Sequence, residues 1–287
     1  MGSLRRSVSN LPPALIGGAC ILLPLIFVAA FPGLLAPYSP DTIVGIPLSG
    51  PSAANLLGTD EIGRDILSRV IYGARSDVVV SLAAATIAFV VGSLIGVLLG
   101  YRGGIAETTG MRVVDIFLAF PAIVLSLFLI TIFGHGEMLE IFAIAVVMTP
   151  SMARFARGTS VVLRNRAYID ASRILRARDR YVVRRHLFPN ALRTLLVAGS
   201  VLGAGAVLIA ASLSYLGLGP PPPTPSWGSL LYSAFQNVFE APLYGIVPGL
   251  CITLLAYGYL LLGKGLGQLQ GRTGGQEAVF KTSVVRI

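Results

Sequence analysis

Six apolar stretches, each about as long as a bilayer is thick, constrain this chain more than any other feature. A helix needs about 20 mostly apolar residues to cross the hydrocarbon core. The segments Ala14–Ala36, Val78–Tyr101, Ile116–Phe133, Leu139–Phe155, Leu195–Gly217 and Gly245–Leu262 meet that need. Lipid offers no partner to a backbone N–H or C=O, so the fold class that follows is an all-α polytopic membrane protein. The charged fraction agrees: 12% of the residues are charged, where a soluble domain carries about 25%. The fourth segment is the shortest and holds Pro150, which neighbouring helices tolerate. The first follows Arg5 and Arg6 as a signal peptide would, yet it is too long and lacks a small-x-small cleavage site, so an uncleaved span is expected.

Lysine and arginine set the orientation. With the N-terminus inside, nineteen of them face the cytoplasm and only Arg64, Arg69 and Arg75 face out. Both termini are therefore expected in the cytoplasm. The layout is a cytoplasmic N-terminus over 1–13 and a transmembrane domain over 14–264. Its outer loops fall at 37–77 and 218–244, its long cytoplasmic loop at 156–192, and a cytoplasmic tail covers 265–287. A multi-pass location in a cytoplasmic membrane is expected. Positive charge explained by topology needs no nucleic-acid partner, although the pI is near 10.0.

Gly92, Gly96 and Gly100 repeat every four residues, which lets a neighbouring helix approach closely. In the first outer loop Ile62, Ile66 and Val70 fall four apart, with Leu67 and Ile71 beside them, while Glu61, Arg64, Asp65 and Ser68 take other faces. That spacing predicts an amphipathic helix lying at the interface or against the bundle. Trp227 ends a proline-rich run, either as a contact residue or as an interfacial anchor.

No ionisable residue occupies the middle of any span; Asp115 and Glu140 stand at the ends. A central charge costs about 2.5–3.5 kcal/mol on insertion scales and persists where protons or ions are handled, so a proton-coupled transporter or voltage-gated channel is disfavoured. Cys20 and Cys251 have no ligand-spaced partner, and His135 and His186 lack a nearby nucleophile, so neither a metal site nor a catalytic one is expected. Gly263-Lys264-Gly265 is a helix end and not a phosphate loop. If this chain pumps anything, another chain supplies the energy.

From Arg154 to Arg193 the chain holds eleven arginines and only Asp170 and Asp179 as acids. Tyr168, Ala171, Ser172 and Leu175 recur at helical spacing, as do Val182, Val183, His186 and Leu187. Two short amphipathic helices are expected, with a turn at Ala177-Arg178-Asp179, Asp179 capping the second and Pro189 ending it. A loop that only fixes topology, or binds anionic lipid, remains the alternative.

The run Asp170-Ala171-Ser172-x3-Arg176, followed by His186-Leu187-Phe188-Pro189, resembles the EAA loop of binding-protein-dependent ABC importer permeases. The family pattern is Glu-Ala-Ala-x3-Gly-x9-Ile-x-Leu-Pro, so Asp170, Ser172, Arg176 and Phe188 depart from it. Leu57-Gly58-Thr59-Asp60, Gly63-Arg64-Asp65 and Tyr72-Gly73-Ala74-Arg75 are similar to the C-type subunit of dipeptide and oligopeptide importers. So are Ser214-Tyr215-Leu216-Gly217-Leu218-Gly219 and Pro225-Ser226-Trp227-Gly228. The resemblance implies a type I importer permease fold and a second, homologous permease. It implies an external substrate-binding protein and two ATPase domains, which would carry ATP and magnesium; no cofactor is implied on this chain. Peptides are the cargo implied, with nickel, glutathione or haem as alternatives; a lipid-binding scaffold or a self-contained channel is the rival class. The ATPase contact would comprise Tyr168, Asp170, Ala171, Ser172, Leu175, Arg176, Ala177, Arg178 and Asp179. Glycine usually makes the turn at position 176; with arginine there, the turn is expected to shift toward 177–179. On the outer side Arg64, Asp65, Arg69 and Arg75 either face the binding protein or pair locally.

Overall fold

A computed structural model describes residues 11–284, with side chains other than those of residues 173 and 271–284. Arg5, Arg6 and Arg286, used in the orientation argument, lie outside the described residues. The fold is all helical. Helices α1 (Pro13–Ala30) and α2 (Pro32–Leu35) are followed by α3 (Ile66–Arg102), α4 (Gly104–Leu118), α5 (Ala122–Phe133) and α6 (Glu137–Arg164). Then come α7 (Ala167–Ile174), α8 (Asp179–Val182), a π-helical turn (Val183–Leu187), α9 (Phe188–Tyr215), α10 (Trp227–Gln236) and α11 (Leu243–Val284). Five helices are long and apolar enough to cross a membrane, and α4 with α5 makes a sixth if the bent pair is one span.

Two expectations are corrected here. The third span is not continuous: α4 and α5 meet at 85°. The backbone at Phe120 is disfavoured from continuing the helix into Pro121, whose own conformation is extended (φ −57°, ψ 130°). The outer amphipathic helix is not separate. Asp65 caps α3 by accepting from the Ser68 N–H at 2.8 Å, and the helix runs unbroken from Ile66 into the second span. The non-helical part of the loop expected over 37–77 ends at residue 65. Ile62 lies outside the helix, whereas Ile66 and Val70 are buried against the bundle.

The glycine stripe does what its spacing predicts. A Cβ on Gly96 would lie 2.1 Å from the Ala153 carbonyl oxygen, and one on Gly92 or Gly100 would meet α6 at 2.7 Å. Contact this close lets Ser160 Oγ reach across to the Val97 carbonyl at 2.9 Å. In lipid, where apolar transfer gives helices little reason to associate, such packing and cross-helix hydrogen bonds hold them together. The core divides into two clusters. One joins α3, α6 and α9 through small residues such as Ala84, Ala88, Ala156 and Ala206. The other joins α1, α10 and α11 to the N-terminal part of α3 around Trp227 and Tyr244.

Candidate coupling elbow and outer clamp

The basic insert folds as an elbow. Helix α6 continues to Arg164, Asn165 and Arg166 turn the chain, and α7 begins at Ala167 with Asp170 in its first turn, where an acid suits the helix dipole. Ile169, Val182 and Leu187 are fully buried and anchor the elbow to the bundle. Tyr168 and Tyr181 flank His186, with ring centroids 6.4 and 5.6 Å away. Ile174 and Leu175, by contrast, are each 81% exposed. Two large aliphatic side chains at the tip of an arginine-rich turn form a knob that nothing among the described residues covers. Ala171, Arg176 and Arg178 are exposed beside it, while Ser172 and Ala177 are half-buried.

The turn corrects the sequence expectation. It does not move to residues 177–179: Arg176 itself adopts the left-handed conformation, φ +51°. The Ala177 N–H donates to the Ser172 carbonyl at 3.0 Å, the six-to-one bond of a Schellman helix end whose left-handed position is usually glycine. The backbone therefore takes the geometry of the family's glycine with a residue that pays about 1–2 kcal/mol for it.

Asp179 is likewise not a cap. Arg178 is the N-cap of α8 and contributes no side-chain bond; Asp179 Oδ1 instead accepts from the Tyr101 hydroxyl at 2.7 Å. This bond ties the elbow to the C-terminal end of α3. Nor does Pro189 end a helix. The segment from Asp179 to Tyr215 is one continuous helical span, because the π turn upstream reroutes the bonding: the Phe188 N–H reaches back five residues to the Val183 carbonyl. A wider turn accommodates the missing proline donor without a break. The expected second short helix is thus the first part of the fifth span.

Behind the elbow, Glu107 of α4 accepts from Arg157 at 2.5 Å and lies 3.5 Å from Arg164. Arg164 also donates to the Gly100 carbonyl at 2.8 Å, and Asp115 pairs with Arg154. The α6 arginines are therefore partly used to hold α4.

On the other side, residues 43–65 fold into a cap over the bundle end. Gly58 and Gly63 have φ of +82° and +87°, and a Cβ on either would lie 2.3 Å from a carbonyl oxygen. Only glycine permits this close return of the chain. At its centre Asp60 is completely buried. It accepts from the N–H groups of Ile62 and Arg64, from Arg64 Nε at 2.6 Å and from Arg69 at 2.5 Å. Burial alone would raise the Asp60 pKa, but the Arg64 and Ile62 N–H bonds, with the Arg64 and Arg69 guanidiniums, outweigh it and hold the carboxyl below its usual range. Glu61 accepts from Tyr244 at 2.8 Å and Ser233 at 3.2 Å, so the cap also grips α10 and α11.

Of the expected outer contacts, then, Arg64, Asp65 and Arg69 turn inward and pair locally; only Arg75 is exposed. Trp227 is neither a contact nor an anchor. It is 1% exposed, its indole N–H donates to the Val70 carbonyl at 2.9 Å, and its backbone N–H donates to Asp77 at 2.7 Å. Asp77 and Glu140 were not anticipated as interior groups. Both are buried in helices that begin farther out than hydropathy indicates, and Ser214 Oγ lies 3.4 Å from Glu140. The acid within Arg75-Ser76-Asp77-Val78 was the one available signal, since an exposed loop would not place it directly before a run of valines.

Residues 92–268 match the family described as binding-protein-dependent transport system inner membrane component. Over 255 residues the chain is 35% identical to a glutathione transport system permease protein of Pectobacterium atrosepticum, covering 88% of this chain and 84% of the relative. It is 37% identical over 258 residues to a di/tripeptide transport system permease protein of Pseudomonas aeruginosa, covering 88% and 85%. A probable D,D-dipeptide transport system permease protein of Escherichia coli K12 is 34% identical over 268 residues, covering 93% and 90%. Among solved structures, the fold resembles a chain of an inward-facing methionine ABC transporter with a TM-score of 0.59 and 24% identity, over 72% of this chain and 97% of that one. At that identity the likeness concerns the fold alone.

Proposed function

Because the chain belongs to the binding-protein-dependent transport inner-membrane family, and is the permease subunit of an ABC importer, we propose that it admits di- and oligopeptides and is driven through its elbow by a separate ATPase. The exposed pair Ile174 and Leu175 carries this reading. Aliphatic side chains held in water by a buried base are suited to a pocket on a partner. The flanking Arg176 and Arg178 supply charge for acids around that pocket, and Tyr168, Asp170, Ala171, Ser172, Ala177 and Asp179 complete the contact. ATP and magnesium act on the two partner ATPase domains.

Force enters by two routes. The Tyr101–Asp179 bond links the elbow to α3, and the unbroken helix from Asp179 to Tyr215 makes the elbow one end of a lever that crosses the bundle. Rocking of these helices against a second, homologous permease opens the path alternately to either side. An external binding protein delivers the peptide. The relatives' names, which specify glutathione and dipeptides, support a small peptide-like cargo. The excess of lysine and arginine on the elbow side supports a cytoplasmic elbow and cytoplasmic termini in the inner membrane.

The test is copurification with the ATPase together with cargo-stimulated ATP hydrolysis. Leu175→Asp removes a side chain whose burial is worth about 1.5–3 kcal/mol, so retention of the ATPase falls at least tenfold while the chain remains inserted. Asp170→Lys is expected to uncouple hydrolysis from transport. Wild-type retention and transport in both variants would remove the elbow from the coupling path.

A further inference from the structure

We propose that this chain holds an anionic phospholipid, its phosphate at Arg112 and Arg154 and one acyl chain laid along the groove between α3, α4 and α6. The groove measures about 780 Å3 and is lined by aliphatic and aromatic side chains, among them Ile87, Val91, Val113, Met138, Val146 and Ala153. A hollow of about 440 Å3 lies beside it, lined by Glu107, Arg112, Asp115, Arg154 and Arg157. The two adjoin along the same helices: Val113 and Ala153 line the first, and their chain neighbours Arg112 and Arg154 line the second.

Length and charge select the occupant. From Met138 to Ala153 the groove follows α6 for about 22 Å, against a hydrocarbon thickness of about 30 Å. A groove of that length runs past the midplane, so an acyl chain that enters at the polar end lies along it as far as the bilayer centre. At the polar end three arginines share two acids: Arg154 pairs with Asp115, and Arg157 and Arg164 both lean on Glu107. Arg112 is exposed and makes no ion pair among the described residues. A dry groove that ends at one unpaired guanidinium, Arg112, beside arginines that outnumber their acids fits an amphiphile with an anionic head. A purely apolar helix would fill the groove and leave Arg112 unmet.

The inference rests on the cytoplasmic placement of the α3–α4 turn given above, but its test reads lipid on the chain whether or not an ATPase copurifies. The full-length chain is reconstituted in equimolar phosphatidylglycerol and phosphatidylcholine, purified, and the retained lipid is measured by native mass spectrometry. Phosphatidylglycerol is expected in excess. Arg112→Gln lowers its retention about fivefold, the worth of one basic residue near a membrane surface. Val113→Trp fills the groove without altering charge and lowers it comparably, with thermal stability unchanged. Inorganic phosphate does not displace the lipid. Equal retention of both lipids, retention unaffected by both variants, displacement by phosphate alone, or a photo-crosslink from position 113 into another protein chain would each overturn the proposal.

Discussion

Arg176 offers a way to measure backbone strain in isolation from charge. It occupies the left-handed region at φ +51°, which costs a side-chain-bearing residue about 1–2 kcal/mol and glycine almost nothing. Glycine, however, has more freedom in the opened chain, which returns about 0.4–1 kcal/mol. Arg176→Gly should therefore steady the α7 turn by a net 0.5–1 kcal/mol or so, roughly a two- to fivefold fall in local opening. The bond to follow is the Ala177 N–H to the Ser172 carbonyl. Hydrogen exchange of peptides covering 172–180, with the chain held in lipid nanodiscs, reads that opening directly. Arg176→Ala is the necessary companion, because it removes the guanidinium but retains the strain. Slower exchange in the glycine variant alone would assign the effect to the backbone. Equal exchange in the glycine and alanine variants would refute the reasoning and return the arginine to a purely electrostatic role.

Asp60→Asn leaves Arg64 and Arg69 facing a neutral group inside the outer cap, and a thermal-shift measurement should report a loss of about 3–5 kcal/mol, the cost of breaking a buried pair. Wild-type stability should depend on acid in a defined direction. Asp60 has a folded pKa below its ordinary value of about 3.9, so its contribution is complete above that value and is lost as pH falls through the folded pKa. In the Asp60→Asn variant that part of the acid dependence disappears. Gly96→Val drives a side chain into the Ala153 carbonyl and should separate α3 from α6, seen as loss of a monodisperse peak in size-exclusion chromatography. Trp227→Phe removes the indole bond to Val70 for about 1 kcal/mol, whereas Trp227→Ala opens a buried cavity for about 3–5 kcal/mol; thermal shifts that are equal for the two would contradict the packing described.

Hydropathy, glycine spacing and the basic insert were legible because each depends on residues close together along the chain. Long apolar runs must become helices in lipid whatever else surrounds them, and a glycine every fourth residue necessarily lines one helical face. The family's elbow was legible from the Asp170-Ala171-Ser172 run and the His186–Pro189 string. Its turn was read less well: the argument from Arg176 gave weight to an intrinsic preference, and the surrounding structure overrode it. The buried anchors Ile169 and Val182, together with the Schellman bond at Ala177, hold residue 176 where glycine would ordinarily stand.

The amino-acid sequence by itself determined an all-helical polytopic membrane fold, since membrane solvation and short-range periodicity require no knowledge of the partner helices, and its short motifs carried the resemblance to the family. Tertiary structure alone decided that α4 and α5 meet at 85° and that Asp179 ties to Tyr101. It also decided that Arg64 and Arg69 turn inward on Asp60 and that Trp227 sits beneath α3 instead of facing out. Whether a charged or aromatic side chain near a helix end meets water, lipid or a buried counterpart depends on which distant segment packs over it. For Trp227 and Val70 that segment lies 157 residues away, well beyond the reach of any local pattern.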